Sequence, residues 1–461
     1  MTGVLDKINE FIWGVPALIL ILAVGIYLTV RTGGVQIRFF PKAIRNFCRT
    51  LSKKSEAGDG VTPFRALCTA LAATVGTGNL AGVAGAIAIG GPGSVFWMWI
   101  SAFLGMVIKF AEAVLAVTYR KKSESGEYIG GPMYMIRYGM GERWRWLAAI
   151  YAFFGVVAAF GVGNATQINA VIDGINSTIT AFGGDVSVKR NLLMGVVLAT
   201  VIGMVLLGGA KRIGMLAEII VPFASIAYII LGIGVLIVQS PMIPAALMSI
   251  IRGAFTPQAV TGGAVGSAIQ ALRVGTSRGV FTNEAGMGTA SIAHSTASVT
   301  HPVEQGFMGI VEVFVDTIVI CTITAMVILC SGVEIIYGVD TGVTLTAHAF
   351  NSVYGNWVNI FLAIALSFFA IGTVLGWGLY GIRCAQYLFG EKAWKPFAWL
   401  QIATVLLGAV LNTGTIWMLA EIINGLMAIP NLIALIFLSP ELIRQIENYC
   451  LTNGVARTEK C

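Results

Sequence analysis

Apolar stretches long enough to cross a lipid bilayer recur along this chain from Val15 to Leu438, with few charges inside them. About 18 or more such residues span the ~30 Å hydrocarbon core as a helix. Inside hydrocarbon every backbone N–H and C=O must be met within the protein, so a spanning segment has to be a helix or part of a closed barrel. Charged residues make up only 11% of the chain, against about 25% for soluble proteins. A soluble chain this apolar would expose large adhesive patches. The fold class expected is therefore an all-α integral membrane protein.

Eleven spans are expected, near 14–30, 66–89, 94–118, 147–175, 191–207, 214–238, 264–290, 306–331, 358–380, 397–411 and 416–438. The stretch 15–30 lacks a basic leading region and a small-residue processing site, so it reads as a first span and not as a leader. Loops after odd-numbered spans, with the C-terminal tail, hold 22 lysines and arginines, whereas the opposite side holds four: Lys7, Lys189, Arg190 and Arg252. By the positive-inside rule this places the N-terminus outside and the C-terminus in the cytoplasm of a bacterial-type cell membrane. The net charge of +7 thus reports topology and not nucleic-acid binding. Seven scattered cysteines form no CxxC, and His294, His301 and His348 have no metal-ligand spacing.

Two spans depart from the apolar pattern in the same way. The second reads TALAATVGTGNLAGVAGAIAIGGPG from Thr69, and the seventh SAIQALRVGTSRGVFTNEAGMGTA from Ser267. Each carries Val-Gly-Thr at mid-depth (75–77 and 274–276), followed by glycines and polar residues. Glycine can serve close helix packing, but polar groups this dense in hydrocarbon need partners. Unwound backbone at membrane depth is tolerated where it lines a cavity. Interrupted spans at matching places in two halves point to a carrier with an internal repeat. Spans two to six (66–238) and seven to eleven (264–438) are five each, so the second copy is inverted. The remainder divides into an N-terminal span with a connector (1–65) and a tail (439–461).

A broken helix offers N–H groups suited to a carboxylate at one end, and carbonyls at the other. Carbonyl, hydroxyl and amide oxygens suit a small hard cation. Together these favour a small zwitterion and a coupling cation such as sodium, and small residues near the break leave little room for a large side chain. Asn164 and Gln167 lie three apart, and Thr373 and Trp377 four apart, each pair on one helical face. Lys109 and Glu112 read as an ion pair at i,i+3. Glu312 and Asp316 share a face at i,i+4, with cation binding, pairing to Arg273 or Arg278, or proton carriage all open. Glu284 reads as a partner of Arg278 or a backbone cap, with a direct ligand role open as an alternative. No Walker A or HExxH motif points to an enzyme. A cation channel stays open as an alternative, although a filter repeated about an axis is not what one inverted pair suggests.

The segments TALAATVGTGNLAGVA (69–84), GGPGSVFWMW (90–99), GGPMYM (130–135), RGVFTNEAGMGTA (278–290) and GTVLGWGLYG (372–381) resemble the alanine or glycine:cation symporters over essentially the whole chain. The resemblance implies a leucine-transporter-like fold, with one extra span before an inverted ten-span core, and uptake of alanine or glycine with sodium, sometimes protons. Serine or glutamine remains an alternative substrate. It also implies a substrate site at Thr77, Gly78, Asn79, Gln167, Gly275, Thr276, Thr373 and Trp377. By the same resemblance, sodium would meet the carbonyls of Ala72 and Val75, with Ala370 and Thr373 facing them, so Thr373 has two competing roles.

Overall fold

The computed structural model describes residues 12, 15–52, 61–124, 126–255, 268–339, 342–411 and 414–453. Lys7, Lys53, Lys54, Arg457 and Lys460, which enter the charge count, lie outside these residues. So do positions 264–267 at the start of the seventh expected span.

The described chain is a bundle of helices: α1 (Val15–Arg31), α2 (Phe40–Ser52), α3 (Pro63–Thr74), α4 (Val83–Gly90), α5 (Gly93–Thr118), α6 (Arg145–Phe160), α7 (Thr166–Ala181), α8 (Val188–Leu206), α9 (Gly209–Val238) and α10 (Ile243–Phe255). It continues through α11 (Ala268–Asn283), α12 (Thr289–His294), α13 (Pro302–Val313), α14 (Thr322–Cys330), α15 (Val343–Tyr354), α16 (Val358–Phe389), α17 (Trp394–Val410), α18 (Gly414–Phe437) and α19 (Ser439–Thr452). Local chemistry sets the starts. Pro63 occupies the first turn of α3 while the Thr62 side chain accepts from the Arg65 N–H, and His301 caps α13 ahead of Pro302 in the same manner.

Among the described residues, seven helices are long and apolar enough to cross a membrane, or up to nine if each of two bent pairs counts as one span. This is fewer than the eleven expected, and the physical reason lies in particular helices. α1 has 17 residues. α11 has 16 and carries Gln270, Arg273, Ser277 and Arg278 within them. The connectors 239–263 and 332–357 also contain helices, α10 and α15.

One face of α9 shows how the surface is built. Ile219, Phe223, Ile226, Ile230, Ile233 and Ile237 are all exposed. Their spacing of three and four puts them in one stripe, while Val221, Tyr228 and Val235 face inward. An exposed stripe of this kind is suited to lipid. Inside, α5 packs against α11, α12 and α13, and α3 packs against α9, α12 and α16. α16 also lies along α6 and α7. The interrupted segments are therefore central to the bundle.

Candidate functional site

α3 ends at Thr74, and Val75 closes it by donating to the Leu71 carbonyl at 2.8 Å. The chain resumes as a widened π turn at Gly78–Gly82 and continues into α4, bent by 53° from α3. The break therefore falls on Val75-Gly76-Thr77. Asn79 holds it in place. Its side-chain oxygen accepts from the Gly76 N–H at 2.9 Å, and its amide donates to Asp316 Oδ1 at 2.8 Å and to the Asp316 carbonyl at 3.2 Å. Asp316 sits in another π turn, Phe314–Cys321, and takes a second donor from Thr317 at 2.8 Å. Asn79 and Asp316 are both fully buried. Replacing Asn79 with leucine should therefore destabilise the protein by about 2–3 kcal/mol, because a buried carboxylate loses its donor. A lowered unfolding temperature in detergent checks this, with Asn79→Ala included to separate loss of the donor from the added bulk of leucine.

The second interruption is not where the sequence suggests. α11 runs without a break through Val274, Gly275 and Thr276 to Asn283. The chain turns instead at 284–288, where Glu284 (φ 54°), Gly286 (φ 92°) and Gly288 (φ 77°) adopt left-handed backbone. Two of these positions suit glycine, which enters that region at no steric cost. Gly275 has a different purpose: a Cβ there would lie 2.2 Å from the Ser94 carbonyl oxygen, so it lets α11 approach α5.

Neighbouring carboxylates support this second turn. Glu112 Oε1 accepts from the Gly286 N–H at 2.9 Å, the Gly288 N–H at 3.1 Å and the Asn431 amide at 2.7 Å. The expected Lys109–Glu112 pair is thus replaced. Glu112 meets the N–H groups exposed by the turn, and Lys109 pairs with Glu312 at 3.2 Å. Glu312 also receives His294 Nε2 at 2.7 Å, and His294 Nδ1 meets the Gln305 amide at 2.7 Å. Glu312 and Asp316 consequently serve separate partners, since the π turn that begins at Phe314 shifts the face. Glu284, expected to pair with Arg278 or to cap backbone, takes side-chain partners from α12 and α16. It accepts from Trp377 Nε1 at 3.0 Å and from the Thr289 hydroxyl at 2.5 Å.

Both interruptions line one small cavity of about 20 Å³, bounded by Ala73, Thr74, Gly76, Thr77, Gly78, Val162, Gln167, Phe281, Thr282, Glu284, Thr373 and Trp377. A third π turn, Gly161–Ala165, precedes α7. Such a turn shifts the backbone hydrogen bonds, and side chains meet the displaced carbonyls: Thr166 donates to Val162 at 3.0 Å and Gln167 donates to Val162 at 3.2 Å. Gln167 Oε1 then accepts from Thr77 at 3.3 Å. The same turn separates Asn164 from Gln167, and Asn164 donates instead to the Gln401 side chain and carbonyl on α17. From α16 the Thr373 hydroxyl reaches the Ala72 carbonyl at 3.2 Å and its own Phe369 carbonyl at 3.1 Å. A wider vestibule of about 530 Å³, lined among others by Asp173, Ser177, His348 and Asn359, reaches the site at Thr77.

Of the residues expected at a substrate site, Thr77, Gly78, Gln167, Thr373 and Trp377 line the cavity. Asn79 faces Asp316, and Gly275 and Thr276 lie in the unbroken part of α11; none of these three lines it. Of the expected sodium ligands, Ala72 and Thr373 are in contact, while Val75 and Ala370 are buried beside them in the chain, at the break and one turn before Thr373. Val162 and Phe281 also line the cavity. Apolar residues of this kind look like ordinary packing in a sequence, although for Phe281 the nearby Gly286-x-Gly288 pattern marks the true turn.

The chain matches the model of the sodium:alanine symporter family over residues 1–459. It is 43% identical over 455 residues to an uncharacterized transporter of Haemophilus influenzae, covering 97% of this chain and 96% of that one. It is 41% identical over 451 residues to the sodium/alanine symporter AgcS of Methanococcus maripaludis, covering 97% of each. Among solved structures, MhsT in complex with L-phenylalanine matches 82% of this chain and 96% of its own at 14% identity, with a TM-score of 0.55, so the two share a fold. A helical membrane protein with broken helices meeting at a small buried polar cavity, and with these relatives, is a multi-pass membrane transporter and not an enzyme. The chain belongs to the sodium:alanine symporter family.

Proposed function

We propose that this protein carries alanine or glycine across the cell membrane together with sodium. The observation that supports this most directly is the meeting of two helix interruptions, at Val75–Thr77 and Glu284–Gly288, on one small cavity. Ala73, Gly76 and Gly78 in its wall favour a small side chain. The polar groups of Thr77, Gln167 and Thr282 would orient the substrate, and the N–H end at the first break is the place for its carboxylate. The equivalent N–H groups at the second break already meet Glu112. Sodium would sit between the Ala72 and Val75 carbonyls and the Thr373 hydroxyl, against Ala370. Sodium prefers such oxygen sets, and this reading resolves the two roles of Thr373 in favour of the ion.

On the same reading the fold is leucine-transporter-like, with 66–238 and 264–438 as inverted five-helix repeats after one extra span. The N-terminus is outside and the vestibule at Thr77 is one of two alternating routes to the site. A competition uptake panel tests the substrate assignment. Alanine and glycine should displace labelled alanine at the lowest concentrations and serine at higher ones; stronger displacement by glutamine would overturn it.

A further inference from the structure

Glu284 combines three features that packing alone does not require. Among the described residues it is the sole non-glycine with positive φ, at 54°. Its side chain is a buried carboxylate, 4% exposed. It also lines the cavity. Backbone held in a sparsely populated region persists where the surroundings fix it, and such strain clusters at functional sites. The carboxylate accepts two donors at once, Trp377 Nε1 at 3.0 Å and the Thr289 hydroxyl at 2.5 Å. Thr289 opens α12, directly after the turn.

Trp377 is the group this arrangement fixes. It is fully buried and lines the cavity. Its Cβ lies where a side chain on Gly163 would be, 2.3 Å from the ideal Cβ position, so the root of the side chain is pinned against the π turn before α7. Tyr380 meets the ring edge-on at 5.8 Å between centroids. An indole has a single donor and no acceptor. With the root pinned, the acceptor that its N–H finds decides how the ring stands, and a buried N–H left unmet would turn toward another acceptor.

We propose that Glu284 is a positioning residue for specificity: its carboxylate fixes the Trp377 indole as the wall that limits the size of the substrate side chain. This rests on the proposed reading of the cavity as the amino-acid site. The test uses full-length protein in proteoliposomes and reads the ratio of valine to alanine concentrations that halve labelled-alanine uptake. Glu284→Ala and Trp377→Phe should each lower that ratio about tenfold, the scale of a methylene in an apolar pocket. The double variant should fall no further than either single one. Glu284→Gln keeps an oxygen acceptor for the indole and should hold the ratio within about twofold of wild type. A merely structural role would lower uptake with the ratio unchanged, and that result in Trp377→Phe, which puts a smaller ring without an N–H in place of the indole, would overturn the inference even if Glu284→Ala fails to fold. A wild-type protein that takes up no alanine would remove the proposed function itself; normal wild-type uptake with unchanged variant ratios removes this inference alone.

Discussion

Thr373→Val should raise the sodium concentration that half-saturates alanine uptake by about ten- to a hundredfold, the range for losing one contact to a charged group. The hydroxyl lies 3.2 Å from the Ala72 carbonyl and would be only 2.8 Å from a Cβ on Gly76, so it stands directly against the first break. Its proton has two carbonyls to satisfy, Ala72 and Phe369, which leaves oxygen lone pairs for a cation. Valine nearly keeps the shape and removes the oxygen. Uptake measured against sodium at fixed alanine should shift, while alanine competition at saturating sodium stays near wild type. Thr373→Ser, which restores the oxygen, should recover most of the sodium affinity. An unchanged sodium curve for the valine variant would remove Thr373 from the ion site.

Gln167→Ala should weaken alanine binding on the order of a hundredfold, because two polar contacts worth about 1–1.5 kcal/mol each are lost together. Gln167 links the first break to the π turn before α7: it accepts from Thr77 at 3.3 Å and donates to the Val162 carbonyl at 3.2 Å. Truncation frees Thr77 to turn and leaves the Val162 carbonyl with Thr166 as its remaining side-chain donor. Equilibrium binding of labelled alanine to the purified protein measures the loss, and an unchanged unfolding temperature would show that the fold survives. Equal affinity in the variant and the wild type would exclude Gln167 from the site.

What the sequence made legible follows from how many groups each inference needed. The first break needed only local chemistry, glycines at 76 and 78 among polar neighbours in an apolar span, and the helix does end there. The second break was displaced because glycine has two uses. At 275 it allows close approach to Ser94, whereas at 286 and 288 it supplies positive φ. The Val-Gly-Thr match between the two spans hid that difference. Helical spacing correctly brought Lys109 and Glu112 near one another in the chain, but spacing on one helix does not say what packs against it. The partners of Glu112 come from Gly286, Gly288 and Asn431, and that of Lys109 from Glu312. Asn79 was legible as a polar residue at the break. That it turns toward Asp316 and away from the cavity depended on a π turn in another helix. Span counting was limited in the same way, since α1 and α11 are too short or too polar to stand as full spans by length alone.

The most direct test of the account is whether a sodium gradient alone can drive alanine uphill. Proteoliposomes containing the purified protein would be loaded with labelled alanine at the same concentration inside and outside, at zero membrane potential and equal pH. An inward sodium gradient should then raise internal alanine above the bath, and collapse of the gradient with a sodium ionophore should return it. Internal alanine that stays equal to the bath with and without the sodium gradient would contradict sodium-coupled transport.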